Sequence, residues 1–436
     1  MTKATRGPSD GGIPPARRPD RRGSISRRRF LGAAGSLAGG AALAGGSSGT
    51  VADAAPPHVE QLKSGVEPFY GDHQGGIATP PQRHAQFAAF DVHVDDRREL
   101  IALLEQWTVV AAALTAGRTA PGTCGVEGQR LTDSGETVGL GPDRLTIGLG
   151  FGPSLFGLGG GDRFGIRHAW PMALVDLPGF EGDRLTEATS GGDLVVLACA
   201  DDPQVAFHAL RQLLRAAGAA ASVRWSQAGF NERAATAGTP RDLLGFKDGT
   251  VNPRTEKELD NFVWVGGEGP DWMAGGTYLV TRRIRVDLGR WDALPVAEQE
   301  HIVGRHKGSG APLGKALESQ ALDLATTDRS GRPLIARNAH VRLASSEENW
   351  GQMLLRRSYA FDNGYEQAPD GAGLDAGLLF VAFQRNPRLG FIPIFEKLSK
   401  HDALREFTTH TASAIAAFPP AARHPGDWVG RGLFEV

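Results

Sequence analysis

Cysteine is almost absent from this chain of 436 residues, which has only Cys124 and Cys199. Neither stands in a C-x-x-C pair, so the sequence excludes a cysteine zinc site, a cysteine-ligated iron–sulfur cluster and the C-x-x-C-H attachment of c-type haem. A single disulfide stays open as an alternative. Cys199 lies in the apolar run LVVLACA, which favours a buried structural thiol.

A surplus of positive charge is also missing from most of the chain. Residues 1–54 hold nine Lys/Arg and three Asp/Glu, a net charge of +6. The whole chain has a net charge of −2, so the remainder carries −8. A body of that sign lacks the basic surface that nucleic-acid binding needs, and we expect no nucleic-acid partner.

The weakly apolar stretch near the N terminus is too short and too rich in glycine to span a membrane. It follows SRRRFL (Ser26 to Leu31), runs to about Gly46 and is followed by Ala52-Asp53-Ala54. This order resembles a twin-arginine export signal; a disordered basic tail and a Sec signal are the alternatives. We therefore expect residues 1–54 to be a signal peptide and the mature protein to be periplasmic or extracellular. Because this route exports proteins already folded, often with a cofactor inserted, the resemblance also favours a cofactor.

Residues 84–235 alternate short strands and helices after a Gly/Pro-rich lead-in at 55–83. FAAFDVHV has the two-residue period of a half-buried strand, and the helix after Asp95–Asp96 has apolar residues every three or four positions. RLTIGLGF, DLVVLACA and SVRWSQ are predicted strands, with a helix in DDPQVAFHALRQLLRAA. The resulting order, β-α-β-β-α-β, is the ferredoxin-like plan.

Residues 236–436 repeat this plan with one interruption. GTYLVTRRIRV, MLLRRSYAF and LLFVAFQ are predicted strands, whereas LPVAEQEHIVGR, FIPIFEKLSK and ALREFTTH are predicted helices. A long excursion that contains HKGSGAPLG and ARNAHVRLA separates the first helix from the second strand, and long irregular insertions are often functional. We predict an α+β protein made of two ferredoxin-like units with antiparallel sheets.

Three short segments contain the candidate chemistry. LLGFKDGTVNPR sets the carboxylate of Asp248 in a glycine-flanked turn, which a surface turn would explain as well. His340 lies among arginines in ARNAHVRLA, interpreted as a short strand, whereas His208 falls on the polar side of its predicted helix. Arg356 and Arg357 are adjacent on a predicted strand, so their side chains face opposite directions. A buried arginine keeps its charge and needs an anionic companion, for which Asp248 is a candidate.

The motifs of the chain occur in the order found in dye-decolourising peroxidases. GFKDGTVNP resembles the GxxDG motif of that family, and PFYGDHQGGIATPPQRHAQFAAFDV resembles the entry to its first domain. Further similar segments follow in order: WMAGGTYLVTRRIRV, GRHKGSGAPLG, NAHVRLA, LLRRSYAF and GLLFVAFQRNPRLGFIPI. The similarity runs from about Pro68 to the C terminus, and the export signal favours the subgroup that includes the deferrochelatase/peroxidases. The resemblance implies haem b, held in the C-terminal of two ferredoxin-like units.

The resemblance also implies roles for the candidate residues. His340 matches the proximal ligand of the haem iron, and Asp248 matches the distal acid–base group. Arg356 matches the distal arginine, with Arg357 as the reserve because the spacing from His340 is shorter than the family pattern.

Four further residues are expected near the cofactor. Asn252 and Arg305 are expected to seat the haem or its propionates. Gly245 and Gly249 are expected to let the backbone approach the porphyrin, because glycine has no Cβ that would clash.

The resemblance implies a haem b peroxidase that uses H₂O₂ to oxidise organic donors such as dyes and phenolics. A deferrochelatase that removes iron from haem, an exported haem or iron carrier, and a non-haem binding protein are the alternatives. A distal acid–arginine pair argues against a pure carrier, because binding alone does not require it. Expected partners are H₂O₂, an organic donor and the twin-arginine translocase, while a homo-oligomer and an iron-uptake membrane partner stay open. Since the reference pKa of aspartate is about 3.9 and that of histidine about 6.5, we expect turnover to peak at acidic pH.

Bulky dyes are not expected to reach a buried haem, so surface aromatic residues are candidates for relaying the oxidation. Trp272, Trp350 and Tyr359 are the candidates, but core packing is the favoured interpretation for all three.

Overall fold

Two successive β-α-β-β-α-β units form the described part of the chain. The computed structural model describes residues 65–121, 133–231, 239–368 and 371–435. The predicted signal peptide (1–54), part of the lead-in and Cys124 lie outside these ranges. No helix in the described ranges combines the length and the apolar character that a membrane crossing needs.

The first unit has its strands in the spatial order β2-β3-β1-β4, all antiparallel. The side chains of Asp96 and Asp202 cap its two helices by accepting hydrogen bonds from the first free backbone N–H groups. Its elements are β1 (His84–Val92), α1 (Arg97–Thr115), β2 (Thr146–Phe151), β3 (Leu194–Ala200), α2 (Pro203–Ala217) and β4 (Ala221–Phe230).

The second unit has the equivalent strand order β9-β5-β8-β7, and a two-residue strand, β6, lies beside β8. Its elements are α3 (Glu256–Phe262), β5 (Thr277–Val286), α4 (Leu288–Asp292), α5 (Val296–Val303), α6 (His340–Leu343), β6 (Leu355–Arg356), β7 (Tyr359–Ala368), β8 (Gly371–Gln384), α7 (Phe391–His401), β9 (Thr408–Phe418) and α8 (Arg431–Phe434). The predicted pair of ferredoxin-like units with antiparallel sheets is confirmed. The exact boundary at 235/236 stays a prediction, because it lies outside the described ranges.

The two sheets join at their edges into one closed ring of strands. Phe151 of β2 pairs with Ala417 of β9, and Phe230 of β4 pairs with Ala360 of β7. Since β5 pairs with both β8 and β9, every strand of the ring has a neighbour on each side. Closure satisfies backbone hydrogen-bonding groups that separate sheets would leave open at their edges. The sequence analysis did not predict this closure.

Glycine in β2 makes room for the second unit at one of these joins. Gly148 and Gly150 alternate with buried Ile147 and Leu149, and both glycines face the ring of Phe418 from β9. A Cβ on Gly150 would overlap that fully buried ring. The sequence TIGLGF therefore forms a strand whose two glycines leave space for the Phe418 ring.

Two predicted elements are wrong. ALREFTTH was predicted as a helix, but only Ala403–Phe407 form a 3₁₀ turn, and β9 begins at Thr408 because its backbone pairs with β5. ARNAHVRLA was predicted as a short strand, but it forms helix α6, in which the N–H of Ala344 donates to the carbonyl of His340 at 3.0 Å.

His208, predicted on the polar side of its helix, has a buried side chain that faces two carboxylates. Its Nε2 lies 3.3 Å from Asp133 Oδ2, and its Nδ1 lies 3.0 Å from Glu136 Oε1. Each ring nitrogen of His208 faces a different carboxylate group. The cluster holds the segment after residue 132 against α2. Cys199 is buried and carries a free thiol, as predicted.

We expect Gly150→Ala to lower the free energy of unfolding by about 2 kcal/mol, because the buried ring of Phe418 would have to shift to admit a methyl group. The midpoint of denaturant unfolding measures the change. Gly179→Ala is the matched control, since its Cβ would meet no atom within 4 Å. An equal midpoint for both variants would contradict the role given to Gly150.

Candidate active site

A cavity of about 720 Å³ lies against the sheet of the second unit. Strands β5, β8 and β9 and helices α6 and α7 line it, together with the turn at 240–250, which we call the acid turn. Its volume falls in the range of small-molecule and cofactor sites. The apolar side chains of its wall include Val286, Val303, Leu378, Phe380, Ile394 and Leu398.

The acid turn presents Asp248 to this cavity through local hydrogen bonds. The Asp242 carboxylate accepts from the N–H groups of Leu244 and Phe246, both at 3.0 Å, and the N–H of Asp248 donates to the carbonyl of Pro240 at 3.0 Å. These bonds fix the backbone of the turn before it reaches Asp248, which lines the cavity.

The two glycines of the motif serve the turn in different ways. Gly245 (φ +83°) and Gly249 (φ +95°) both adopt backbone conformations that other residues rarely adopt. Gly249 lines the cavity, whereas Gly245 does not, and a Cβ on Gly245 would lie 2.6 Å from Cε of Lys307. Gly245 thus lies where the turn packs on Lys307, and its expected role towards a cofactor stays a prediction.

Asp248 and Arg356 form an ion pair in the wall of the cavity. Arg356 Nη1 donates to Asp248 Oδ1 at 2.9 Å, and both side chains are about a quarter exposed. The side chain of Asn252 holds the backbone of Arg356 in place: it donates to the Arg356 carbonyl at 2.7 Å and accepts from the Arg356 N–H at 3.1 Å. Asn252 is not part of the cavity lining, and its expected role in seating a cofactor stays a prediction.

Arg357 points away from the cavity, as the opposite facing of adjacent strand residues predicts. Its side chain is 3% exposed, and its guanidinium donates to the carbonyls of Ile77 and Thr79 and to Gln82 Oε1. The predicted strand is interrupted here, since β6 ends at Arg356 and β7 begins at Tyr359. Of the two arginines, only Arg356 reaches the cavity.

His340 lines the same cavity from the start of α6. Its Nδ1 lies 2.6 Å from Asp402 Oδ2, which leaves Nε2 for a ligand. Burial alone lowers the pKa of His340, but the charge and the hydrogen bond of Asp402 outweigh burial, and the net pKa is raised. Asp402 was not predicted from the sequence, because it lies 62 residues from His340 along the chain and no local pattern links the two residues.

Arg305 and Asp242 add a cation and a second carboxyl group to the cavity. Arg305 is buried, and its Nη1 donates to the neutral carbonyl of Gly310 at 2.8 Å; burial and the charge of Arg356 lower its pKa. Burial and the charge of Asp248 raise the pKa of Asp242 to about 7. The sequence analysis did not identify Asp242 as a site residue.

The three aromatic candidates for relaying oxidation lie in different surroundings. Trp272 and Tyr359 are buried, so core packing is confirmed for both. Trp350 is 83% exposed, and core packing is wrong for this residue.

With this geometry in place, comparison with known proteins identifies the class. The family domain described as "Dyp-type peroxidase, N-terminal" matches residues 74–231, and "Dyp-type peroxidase, C-terminal" matches residues 239–423. The chain belongs to the Dyp-type peroxidase family and is an enzyme of the H₂O₂-dependent oxidoreductase class.

Similar individual proteins span nearly the whole chain. The dye-decolorizing peroxidase of Thermobifida fusca is 37% identical over 443 residues, covering 95% of this chain and 98% of that protein. The deferrochelatase of Shigella flexneri is 36% identical over 423 residues, covering 94% and 97%. Among solved structures, ferric DtpA from Streptomyces lividans has a TM-score of 0.78 and 41% identity, covering 87% of this chain and 99% of that one.

We expect the contribution of Asp242 to the stability of the haem-free protein to rise as pH falls from about 7 towards 4, because Asp242 has a folded-state pKa of about 7 and an unfolded pKa of about 3.9. Asp242→Asn retains an oxygen for the two N–H donors but removes the buried charge. The variant should therefore be more stable than the parent at pH 8, by on the order of 2 kcal/mol, with the difference vanishing near pH 4.

Denaturant unfolding of the haem-free protein between pH 4 and 8 measures this difference. Asp292→Asn, at an exposed aspartate, is the control and should follow the parent at every pH. A stability difference for Asp242→Asn that does not change with pH would contradict the raised pKa.

Proposed function

We propose that this chain is an exported haem b peroxidase that uses H₂O₂ to oxidise organic donors, with Asp248 as the group that moves the proton. The observation that carries the proposal is that one cavity contains both an Asp248–Arg356 ion pair and a histidine oriented by a carboxylate. The first arrangement suits peroxide chemistry and the second suits iron ligation.

The residues of the cavity fit haem. His340 would hold the haem iron through Nε2, because Asp402 engages Nδ1. The apolar side chains of the wall suit the faces of a macrocycle, and the buried charge of Arg305 suits an acidic edge group such as a propionate. When bound, haem supplies the redox-active iron at which H₂O₂ is reduced.

Asp248 and Arg356 have different roles: Asp248 transfers the proton, and Arg356 stabilises negative charge. Asp248 Oδ1 accepts from Arg356, so Oδ2 is available to take a proton from one oxygen of H₂O₂ and return it to the other, which leaves as water. Arg356 keeps its positive charge throughout and stabilises the negative charge that develops on the peroxide. Asn252 keeps Arg356 in register with Asp248 through the backbone.

Asp402 prepares His340 for its role as a ligand. A carboxylate on Nδ1 fixes the ring orientation and the tautomer, and it increases the electron donation of Nε2. Asp402 Oδ1 also accepts from the N–H of Leu404 at 2.9 Å, so the backbone holds the carboxylate itself.

Removal of iron from haem is the alternative function. It is supported by relatives named deferrochelatase at 36% identity over most of the chain. A pure haem carrier is disfavoured, because binding alone needs no Asp248–Arg356 pair. The twin-arginine-like signal at 1–54 supports export to the periplasm or the extracellular space, with the translocase as a transient partner. Neither a homo-oligomer nor an iron-uptake membrane partner is part of the proposal.

The absorption spectrum of the haem-supplied protein tests the proposal. A Soret band that shifts on one equivalent of H₂O₂, and recovers when a phenolic donor is added, supports the peroxidase. Release of iron with an intact porphyrin, without turnover of donor, would support the deferrochelatase.

We expect Asp248→Asn to retain haem but to slow reaction with H₂O₂ by roughly 10²- to 10⁴-fold, because the amide can accept from Arg356 but cannot take the proton. Stopped-flow absorbance of the haem band measures the rate. For the parent enzyme, the rate of donor oxidation should peak below neutral pH. Reaction of the variant at the parental rate, or an optimum near pH 8 for the parent, would contradict this role.

We expect Asp402→Asn to weaken haem affinity by roughly 10- to 100-fold, because it removes the charge that orients His340 and strengthens it as a donor. The amide oxygen can still accept from Leu404, so the local fold should persist. Competitive transfer of haem to apomyoglobin measures the affinity. Asp292→Asn is the control; an equal affinity in the two variants would contradict the role of Asp402.

A further inference from the structure

A glutamate outside the cavity holds the acid turn on both sides of Asp248. Glu318 Oε2 forms an ion pair with Nζ of Lys247, and Glu318 Oε1 accepts from the hydroxyl of Thr250 at 3.0 Å. Lys247 immediately precedes Asp248, and Thr250 follows it by two residues. One carboxylate therefore fixes the segment that carries the acid at two points.

Glu318 is itself held by the excursion, residues 304–354, that separates α5 from β6. Arg305 Nη1 donates to the Gly310 carbonyl at 2.8 Å and to the Glu318 carbonyl at 3.4 Å. Gly310 has φ +76°, and a Cβ there would lie 2.6 Å from Cδ of Lys247, so the lysine stem lies directly on the excursion. The acid turn is thus packed on this segment as well as hydrogen-bonded to it.

The same carboxylate also balances charge next to the acid. Lys247 is half-buried, and its ammonium group is paired with Glu318. The charged groups that face Asp248 from the elements around it are Arg356, Asp242 and His340, with Arg305 behind Arg356. Without Glu318, Lys247 would add an unpaired positive charge beside these groups.

We propose that Glu318 is a positioning residue for the peroxide reaction: by holding Lys247 and Thr250 it fixes Asp248 in the geometry that proton transfer requires. This inference rests on the proposed role of Asp248. It means that the excursion helps to place Asp248, although no group of the excursion takes part in the proton transfer itself. Small displacements of a catalytic group have large effects on rate, so a clamp of this kind affects the reaction without contacting the substrate.

A double-mutant cycle between Glu318 and Asp248 tests the proposal. The rate of reaction with H₂O₂ is measured by stopped flow for the haem-loaded parent, Glu318→Ala, Asp248→Asn and the double variant. Glu268→Gln is the control, because Glu268 also forms an ion pair outside the cavity lining, but its partner is Arg385, at 2.6 Å, and not a residue of the acid turn. Haem content and the thermal unfolding midpoint are recorded for every variant.

We expect Glu318→Ala to slow the reaction roughly tenfold while Glu268→Gln does not. In the Asp248→Asn background, Glu318→Ala should cause no further loss, because Glu318 acts through Asp248. The proposal would be overturned if the rate losses of Glu318→Ala and Asp248→Asn multiplied in the double variant. It would also be overturned if Glu268→Gln slowed the reaction to the extent that it lowered the unfolding midpoint.

The Glu318→Gln variant adds a readout that a purely structural role would not change. The glutamine can still accept from Thr250 but leaves Lys247 without a carboxylate, and the extra positive charge favours the ionised acid. The acidic limb of the pH–rate profile, and that of cyanide association with the ferric protein, should therefore move to lower pH. If the acidic limbs of both pH profiles stayed at the parental pH, the idea that Glu318 balances the charge of Lys247 would be overturned. If Asp248→Asn itself reacted at the parental rate, both the proposed function and this inference would fail.

Discussion

The site depends on the hydrogen bonding of β8 to three other strands. β8 pairs with β5 and β7 along most of its length, and Leu355–Arg356 of β6 pair with Phe383 and Ala382 near its end. The pairing with β5 closes the ring, and the pairing with β6 sets Arg356 at the cavity. The chain after β8 forms α7 and reaches Asp402, so the same strand also determines where the partner of His340 lies.

Several charged groups at the cavity have a specific partner, and the partners come from distant parts of the chain. Asp248 pairs with Arg356, His340 with Asp402, and Lys247 with Glu318. A charge taken out of water without a partner is costly, so these pairings constrain how the acid turn, the excursion and the strands pack. Asp242 differs from these paired groups: burial and its neighbour Asp248 raise its pKa to about 7, and its charge therefore changes near neutral pH.

Local patterns in the sequence predicted most of the elements but not all of them. The alternation in β1 and β2, the continuous apolar run of β3 and the aspartates before α1 are local signals, and the corresponding elements formed as predicted. β9 was missed because its alanine-rich sequence has no strand period, and pairing with β5 makes it extended. His340 was wrongly predicted on a strand because its helix has only four residues, which is too short to show a helical period.

The type of fold and the short segments that contain Asp248, His340 and Arg356 follow from local sequence, because period, caps and motifs are properties of neighbouring residues. The closed ring, the placement of Arg356 and not Arg357 at the cavity, and the positions of Asp402, Asp242 and Glu318 follow from tertiary packing. The physical reason is distance along the chain. An ion pair between residues 62 to 108 positions apart forms when strands and helices pack, and no local pattern records it.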